Sequence, residues 1–312
     1  SPAWETINPD GEITSHASQL YYVASRFLLP AALVLMTLSI DLKAIFNLGS
    51  KALIMFFTGT IGIVIGGPIA ILLISFFSPE TVGGSDFNAV WRGLSTLAGS
   101  WIGGGANQTA MLEIYKYNPA KYGGMVIVDI VVANVWMAIL LIGIGKKDSI
   151  NKWLKADTIA IEELKDKVIS FTQKVKKNPT LSDFMIMLAI AFGTVGFGHF
   201  SAKYLSLFFS EIVAAINSQT WRNVFSFLGS SFFWLISIST IIAILLSYTK
   251  AKNYEGAGAS KLGSIFIYIL VATIGMKMDL NQAFENPGLM VIGFVWISIH
   301  AILLIIVAKI IK

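Results

Sequence analysis

The sequence predicts an all-α polytopic membrane protein with an inverted-repeat transporter fold, and three observations carry that prediction. Of its 312 residues, 55% are hydrophobic and only 13% are charged, whereas a soluble domain carries roughly a quarter charged residues. The mean hydropathy is +0.72. So few charges cannot cover a water-facing surface, so most of this surface must face lipid, and the bilayer is the first expected partner. The third observation is internal: a stretch of about fifty residues near the start recurs 238 residues downstream.

Composition also excludes several classes. Cysteine is absent, which removes disulfide scaffolds, thiolate metal sites and a cysteine nucleophile. The net charge of +5 sits in short loops between apolar runs, where it orients a membrane protein and gives no reason to expect nucleic acid. No His-Glu-x-x-His motif or clustered acids occur, so an enzyme is not expected.

A bilayer core needs about 20 apolar residues as helix. Eight stretches meet or approach that length: Leu20–Ile40, Ala52–Phe77, Trp91–Leu112, Gly123–Gly145, Leu181–Phe209, Val224–Tyr248, Leu262–Met278 and Gly288–Ile311. Pro30 is expected to kink the first. The fifth, with Gly193, Gly196, Gly198 and His199, reads as one tilted helix or two short ones. Residues 1–19 hold Glu5, Asp10 and Glu12 with no Lys or Arg, and residues 78–90 hold Glu80 and Asp86 likewise. Lys43 and Lys51 follow the first stretch, Lys250, Lys252 and Lys261 the sixth, and 146–180 carries nine lysines against five acids. The positive-inside rule places the basic loops in the cytoplasm and the acidic ones outside. Eight simple crossings do not satisfy every loop. Either Trp91–Leu112 does not cross simply, or residues 181–217 cross twice.

Within 146–180, Ile161, Leu164, Val168, Phe171 and Val175 share one helical face by their spacing. They predict an amphipathic helix on the membrane surface linking two halves, or alternatively a short contact in a homodimer.

The repeat places Asp41-Leu42-Lys43-Ala44-Ile45-Phe46 over Asp279-Leu280-Asn281-Gln282-Ala283-Phe284, with Ile54 over Ile292, Phe56 over Phe294, Ile61 over Ile299 and Ala70 over Ala308. One loop is basic and the other is balanced or acidic, so the copies are expected to be inverted, with a site between them at mid-membrane. The predicted organisation is therefore 1–19 extracytoplasmic, 20–146 a first repeat, 147–180 a cytoplasmic linker and 181–312 a second repeat. At this shift Lys312 meets Ile74, so the second copy is expected to be incomplete.

The most unusual segment is Gly99-Ser100-Trp101-Ile102-Gly103-Gly104-Gly105-Ala106-Asn107-Gln108-Thr109. Each glycine costs a helix interior about 1 kcal/mol relative to alanine, so Gly103, Gly104 and Gly105 predict a broken helix within 99–109. Unwound backbone in a membrane persists only where it lines a cavity or is buried in protein. Its carbonyls suit a cation, and a restarted helix capped by Asn107 suits an anion. Close helix packing is the other reading of these glycines. Asn107, Gln108 and Thr109 are candidate solute or ion contacts. In the next stretch Asp129 is an ionisable residue at membrane depth, hence a candidate for binding Na⁺ near Asn107, for carrying a proton, or for pairing with Arg26. Asn134 is a further candidate, although five residues put it about 140° around the helix from Asp129. His300 is expected to be an interhelical hydrogen-bond donor. Trp91, Trp101, Trp136, Trp221 and Trp234 include interface anchors.

The run from Gly99 through Thr109 to Ala110-Met111 resembles the glycine-rich segment of the membrane family designated domain of unknown function 819, the YjcL-like proteins. The stretches Val128-Asp129 to Trp136-Met137 and Gly275 to Phe284 are similar to that family too. The family is grouped with cation/proton antiporters and bile-acid/sodium symporters. The resemblance implies an inverted-repeat fold with two crossing broken helices. It also implies helices before Ser1 and a second broken helix after Lys312, so the chain reads as truncated at both ends. The functional expectation is a multi-pass protein of the bacterial inner membrane, a Na⁺- or H⁺-coupled symporter or antiporter of a small organic solute, needing no other cofactor. The alternative is an intramembrane enzyme or a subunit of an ion-pumping complex.

Overall fold

The computed structural model describes residues 3–7, 13–17, 19–38, 40, 49–154, 177–276 and 286–311. Two strands, β1 (Ala3–Ile7) and β2 (Ile13–Ala17), pair antiparallel with Ala3 opposite Ala17. The helices follow: α1 (Leu20–Leu38), α2 (Ser50–Phe77), α3 (Val90–Gly103), α4 (Gly105–Tyr115), α5 (Tyr122–Gly145), α6 (Lys147–Leu154), α7 (Leu181–Ala214), α8 (Gln219–Phe225), α9 (Ser231–Ser247), α10 (Ala259–Gly275) and α11 (Gly288–Ile311). Among the described residues, α1, α2, α5, α7 and α11 are each long and apolar enough to cross a membrane. Two bent pairs, α8 with α9 at 57° and the 3₁₀ segment Lys250–Ala257 with α10 at 69°, bring the number to seven if each is one span. The protein is an all-α polytopic membrane protein with a small β-hairpin ahead of its first helix.

Six of the eight predicted stretches match these elements closely, and Val224–Tyr248 runs from the end of α8 across the 57° bend into α9. The Gly193–Gly198 region stays within one helix of 34 residues, about 51 Å long against a core of about 30 Å. The exception is Trp91–Leu112, which does not cross as one helix but divides into α3 and α4. The amphipathic face from Ile161 to Val175 and both Asp-Leu…Phe loops lie outside the described residues.

The chain divides into two units, Ser1–Ile40 with Val175–Met278, and Asp41–Lys174 with Asp279–Lys312. In the first, α1 packs with α7, α9 and α10. A Cβ added at Gly263, near the start of α10, would meet Met36, Ala32 and Leu35, near the end of α1. The start of α1 also touches α10, so the two helices run antiparallel. In the second unit, α2 meets α11: Gly59, Gly62 and Gly66 face Leu304, His300 and Trp296 in turn, again antiparallel. These are the pairs the 238-residue shift relates. Subtracting 238 from the bounds of α10 gives 21–37 against 20–38 for α1, and from the start of α11 gives 50, the start of α2. Each helix of the first copy thus packs head to tail on its own counterpart, as inverted copies require.

Local chemistry shapes α1. Pro30 has no N–H, so the carbonyl four residues before it, Arg26 O, loses its α-helical donor. The helix widens into a π-turn over Ala24–Leu28, and His199 Nε2 on α7 lies 3.0 Å from Arg26 O. Because that acceptor is a carbonyl, His199 must hold its proton on Nε2. The ring also lies 5.0 Å from Phe27. Replacing His199→Ala should cost about 1–3 kcal/mol by leaving a buried carbonyl short of a donor. The loss should shrink in a Pro30→Ala background, where the helix regains its own N–H. Unfolding measured in detergent checks this, and equal losses in the two backgrounds would refute the account.

Candidate functional site

The second unit builds its site around a helical hairpin. Its base is fixed by local hydrogen bonds: Arg92 Nη1 donates to Tyr115 O at the end of α4, and Asn118 Nδ2 donates to Asn88 Oδ1 at 2.8 Å. The Trp91 ring lies 5.6 Å from Tyr115 and 4.7 Å from the Arg92 guanidinium. Tyr117 is 4% exposed, and burial pushes its hydroxyl up to about 12, so it stays a neutral wall of this base. Further along, Gly99 lies against Asn107 and Met111, where an added Cβ would come 2.7 Å from Asn107 O. Contacts pairing 92 with 115 and 99 with 107 mean that α4 returns antiparallel along α3. The hairpin therefore enters and leaves on the same side.

Two of the three glycines at its tip have distinct structural causes. Gly104 adopts φ +82° and ψ −173°, a conformation open essentially to glycine alone. At Gly103 a Cβ would collide with Asn107 Nδ2 at 1.7 Å. Gly105 has nothing within 4 Å of where a Cβ would stand. The predicted interruption is thus at Gly104, but the predicted cap differs. Gly104 itself is the N-cap with no side-chain bond, which leaves Asn107 as the third residue of α4, its amide against Gly103.

Asp129 on α5 reaches the neck of this hairpin. Ser100 Oγ donates to Asp129 Oδ2 at 2.7 Å and Trp101 Nε1 donates to Oδ1 at 2.8 Å. Both donors are neutral, so they fix the carboxylate without cancelling its charge. Trp101 packs edge-on against Trp296 at 5.0 Å, and Trp296 Nε1 donates to Ile63 O of α2 at 2.8 Å. Space for that indole exists because Gly66 and Gly67 lack side chains; a Cβ at either would come 2.7–2.8 Å from it. The neck is thereby tied to the α2–α11 pair.

The predicted site residues divide. Gly103, Gly104, Gly105, Asn107 and Gln108 gather at the tip. Gln108 is 7% exposed, and its Nε2 has no hydrogen-bond partner among the described residues. Thr109 is turned inward, donating to Gly105 O and Ala106 O at 3.1 and 2.8 Å. Asn134 is not brought to Asp129; it donates to Ile130 O at 2.6 Å on an exposed face. Arg26 belongs to the other unit, its guanidinium 4.5 Å from the Phe232 ring centroid. His300 Nδ1 lies 3.1 Å from Gly59 O, the interhelical bond expected of it. Among the described residues, no group of three or more His, Asp or Glu gathers to hold a metal ion. Sequence reasoning missed Ser100 and Trp101 as partners of Asp129, and Trp296 altogether.

Substitutions at the tip should rank by these causes. Gly105→Ala should be tolerated, Gly104→Ala should destabilise by about 1–2 kcal/mol through its positive φ, and Gly103→Ala should be rescued in part by Asn107→Ala. Thermal unfolding of the purified variants checks the order, and a Gly104→Ala protein as stable as Gly105→Ala would contradict it.

Comparison with known proteins places the chain. The family described as "Protein of unknown function (DUF819)" matches residues 8–312. The uncharacterized membrane protein YjcL of Bacillus subtilis (strain 168) is 24% identical over 298 residues, an alignment covering 90% of this chain and 65% of that protein. The chain thus spans a little under two thirds of that curated relative's length. No solved structure matches.

Proposed function

The chain belongs to the DUF819 family, and we propose that this member is a secondary active transporter of a small organic solute, coupled to Na⁺ or H⁺ and working by alternating access. The observation that carries the reading is the Asp129 carboxylate, held by Ser100 and Trp101 at the neck of a helical hairpin that breaks at Gly104. An intramembrane carboxylate is costly, and its usual use is in moving ions or protons. Asp129 binds or carries the coupling cation. The first-turn N–H groups of α4, which have no intrahelical acceptors, and the Gln108 amide contact the solute.

Loop charges support a membrane topology for this reading. With the hairpin not crossing and each bent pair counted once, seven spans put 39–49, 146–180 and the Lys250 end of the second bent pair on one side, together with most of the loop lysines. The acidic segments 1–19, 78–89 and 276–287 fall on the other; Arg92, Lys116, Lys121, Arg222 and Lys277 are the exceptions there. The hairpin then dips in from the extracytoplasmic side of a bacterial inner membrane. Its two legs supply the discontinuous backbone that transporters use at mid-membrane. An intramembrane enzyme or a subunit of an ion-pumping complex remains the competing class, and transport by the purified chain separates them.

Uptake into proteoliposomes under a Na⁺ or proton gradient, screened against a solute library, tests the reading. Asp129→Asn should abolish ion-dependent uptake while leaving thermal stability near that of the wild type. Trp101→Phe should weaken apparent cation affinity about tenfold by removing one hydrogen bond to a charged group. An Asp129→Asn protein with full uptake would remove Asp129 from the mechanism.

A further inference from the structure

Away from the hairpin, the first unit contains a cavity of about 430 Å³ lined by Lys177, Ile190, Lys250, Ala251, Asn253 and Tyr254. It lies where the start of α7 meets the 3₁₀ segment Lys250–Ala257, and Lys177 N donates to Gly256 O to join the two. The carboxylates nearby in sequence are already engaged. Asp183 accepts from Lys177 Nζ at 2.6 Å and from Thr180 N and Oγ1 at 2.9 Å, closing a capping box on α7. Glu255 accepts from Ser260 N and Oγ at the start of α10. Lys177 lies 5.1 Å from the Tyr254 ring centroid. Lys250, exposed on the rim, has no carboxylate partner among the described residues. The cavity lining itself carries two ammonium groups, Lys250 and the Asp183-paired Lys177, with the Asn253 amide beside them, and no carboxylate.

The floor of the cavity differs in kind. Ile190 is nine residues beyond Leu181 on α7, about 14 Å along the helix, and therefore on its apolar length rather than at its polar start. A free inorganic anion needs no apolar floor at that depth. A molecule with an anionic head and a hydrocarbon body fits both ends, because basic clusters at the ends of membrane spans attract anionic headgroups. We propose that this cavity binds the phosphate headgroup of an anionic glycerophospholipid, with Lys250 and Lys177 on the phosphate, Asn253 beside it and the acyl chain along Ile190.

Native mass spectrometry of the full chain in detergent, titrated with phosphatidylglycerol, phosphatidylcholine or inorganic phosphate, tests this site. The wild type should retain one phosphatidylglycerol in preference to phosphatidylcholine. Lys250→Gln, an exposed change that leaves the Thr180–Asp183 cap intact, should weaken retention about fivefold, the worth of one lysine near an anionic surface, and Lys250→Glu should weaken it further. Lys261→Gln, outside the cavity, should leave retention unchanged. Undiminished phosphatidylglycerol binding by Lys250→Glu, an equal loss in Lys261→Gln, or equal retention of phosphatidylcholine would each overturn the proposal. Displacement of the lipid by inorganic phosphate alone would overturn the lipid assignment in favour of a free-anion site.

Discussion

In a bilayer every backbone N–H and C=O must find its partner inside the protein, and that constraint governs where this chain departs from simple helices. Pro30 and Gly104 are two such departures. At Pro30 the missing N–H is answered from another helix by His199. At Gly104 the chain stops one helix and starts another, with Gly104 N on Ser100 O at 2.7 Å and Gln108 N on Gly104 O at 3.0 Å. The N–H and C=O of Gly104 are thus both paired, and the chain reverses at a single residue rather than through a loop. The hairpin is the structural consequence of one residue that tolerates positive φ.

The same constraint explains how the repeats pack. Apolar helices gain little from hiding in one another when lipid is equally apolar, so close approach through small residues drives association. Gly263 of α10 sits on the α1 backbone near Ala32 O, and Gly59, Gly62, Gly66 and Gly67 of α2 admit His300 and Trp296 of α11. Trp296 and His300 each use the approach to reach an α2 carbonyl, at Ile63 and Gly59. Both contacts join a helix to its own sequence counterpart.

Much of this was legible in the sequence. Apolar run lengths located every span, because a bilayer imposes a length that soluble cores do not. The glycine cost located the break, since three adjacent helix-destabilising residues have no local compensation. What remained hidden was long-range. Eight apolar stretches could not satisfy the loop charges because Trp91–Leu112 had been counted as a crossing; only the pairing of Gly99 with Asn107 and Met111 reveals the reversal. Asn107 resembled a cap by composition, but the restart falls at Gly105 with Gly104 as its cap, three residues too early for it. Thr109 looked available, yet a threonine inside a helix readily turns its hydroxyl to a carbonyl behind it. The strands β1 and β2 flank Asn8-Pro9-Asp10-Gly11, a run of turn-forming residues that was read only for its charge.

The tip of the hairpin concentrates costs that packing alone does not repay. Gly99 and Gly103 are required by close contact and Gly104 by its backbone angles, so three of the four glycines have structural causes. Gly105 has none: it opens α4 onto empty space. Near that opening in sequence is a buried Gln108 amide with an unused donor among the described residues, and at the neck is a carboxylate whose two hydrogen bonds come from neutral groups. A helix start favours negative charge and a carboxylate favours positive charge, so the α4 start and the α5 carboxylate at the neck have opposite electrostatic preferences. A packing motif needs no such pairing. A site that loads a cation at Asp129 and a solute group at the α4 start requires both. The α4 start lies on the hairpin itself, whereas the Asp129 carboxylate is brought to the neck from α5 by Ser100 and Trp101, so the arrangement depends on the packing of α5 against α3 as well as on the break at Gly104.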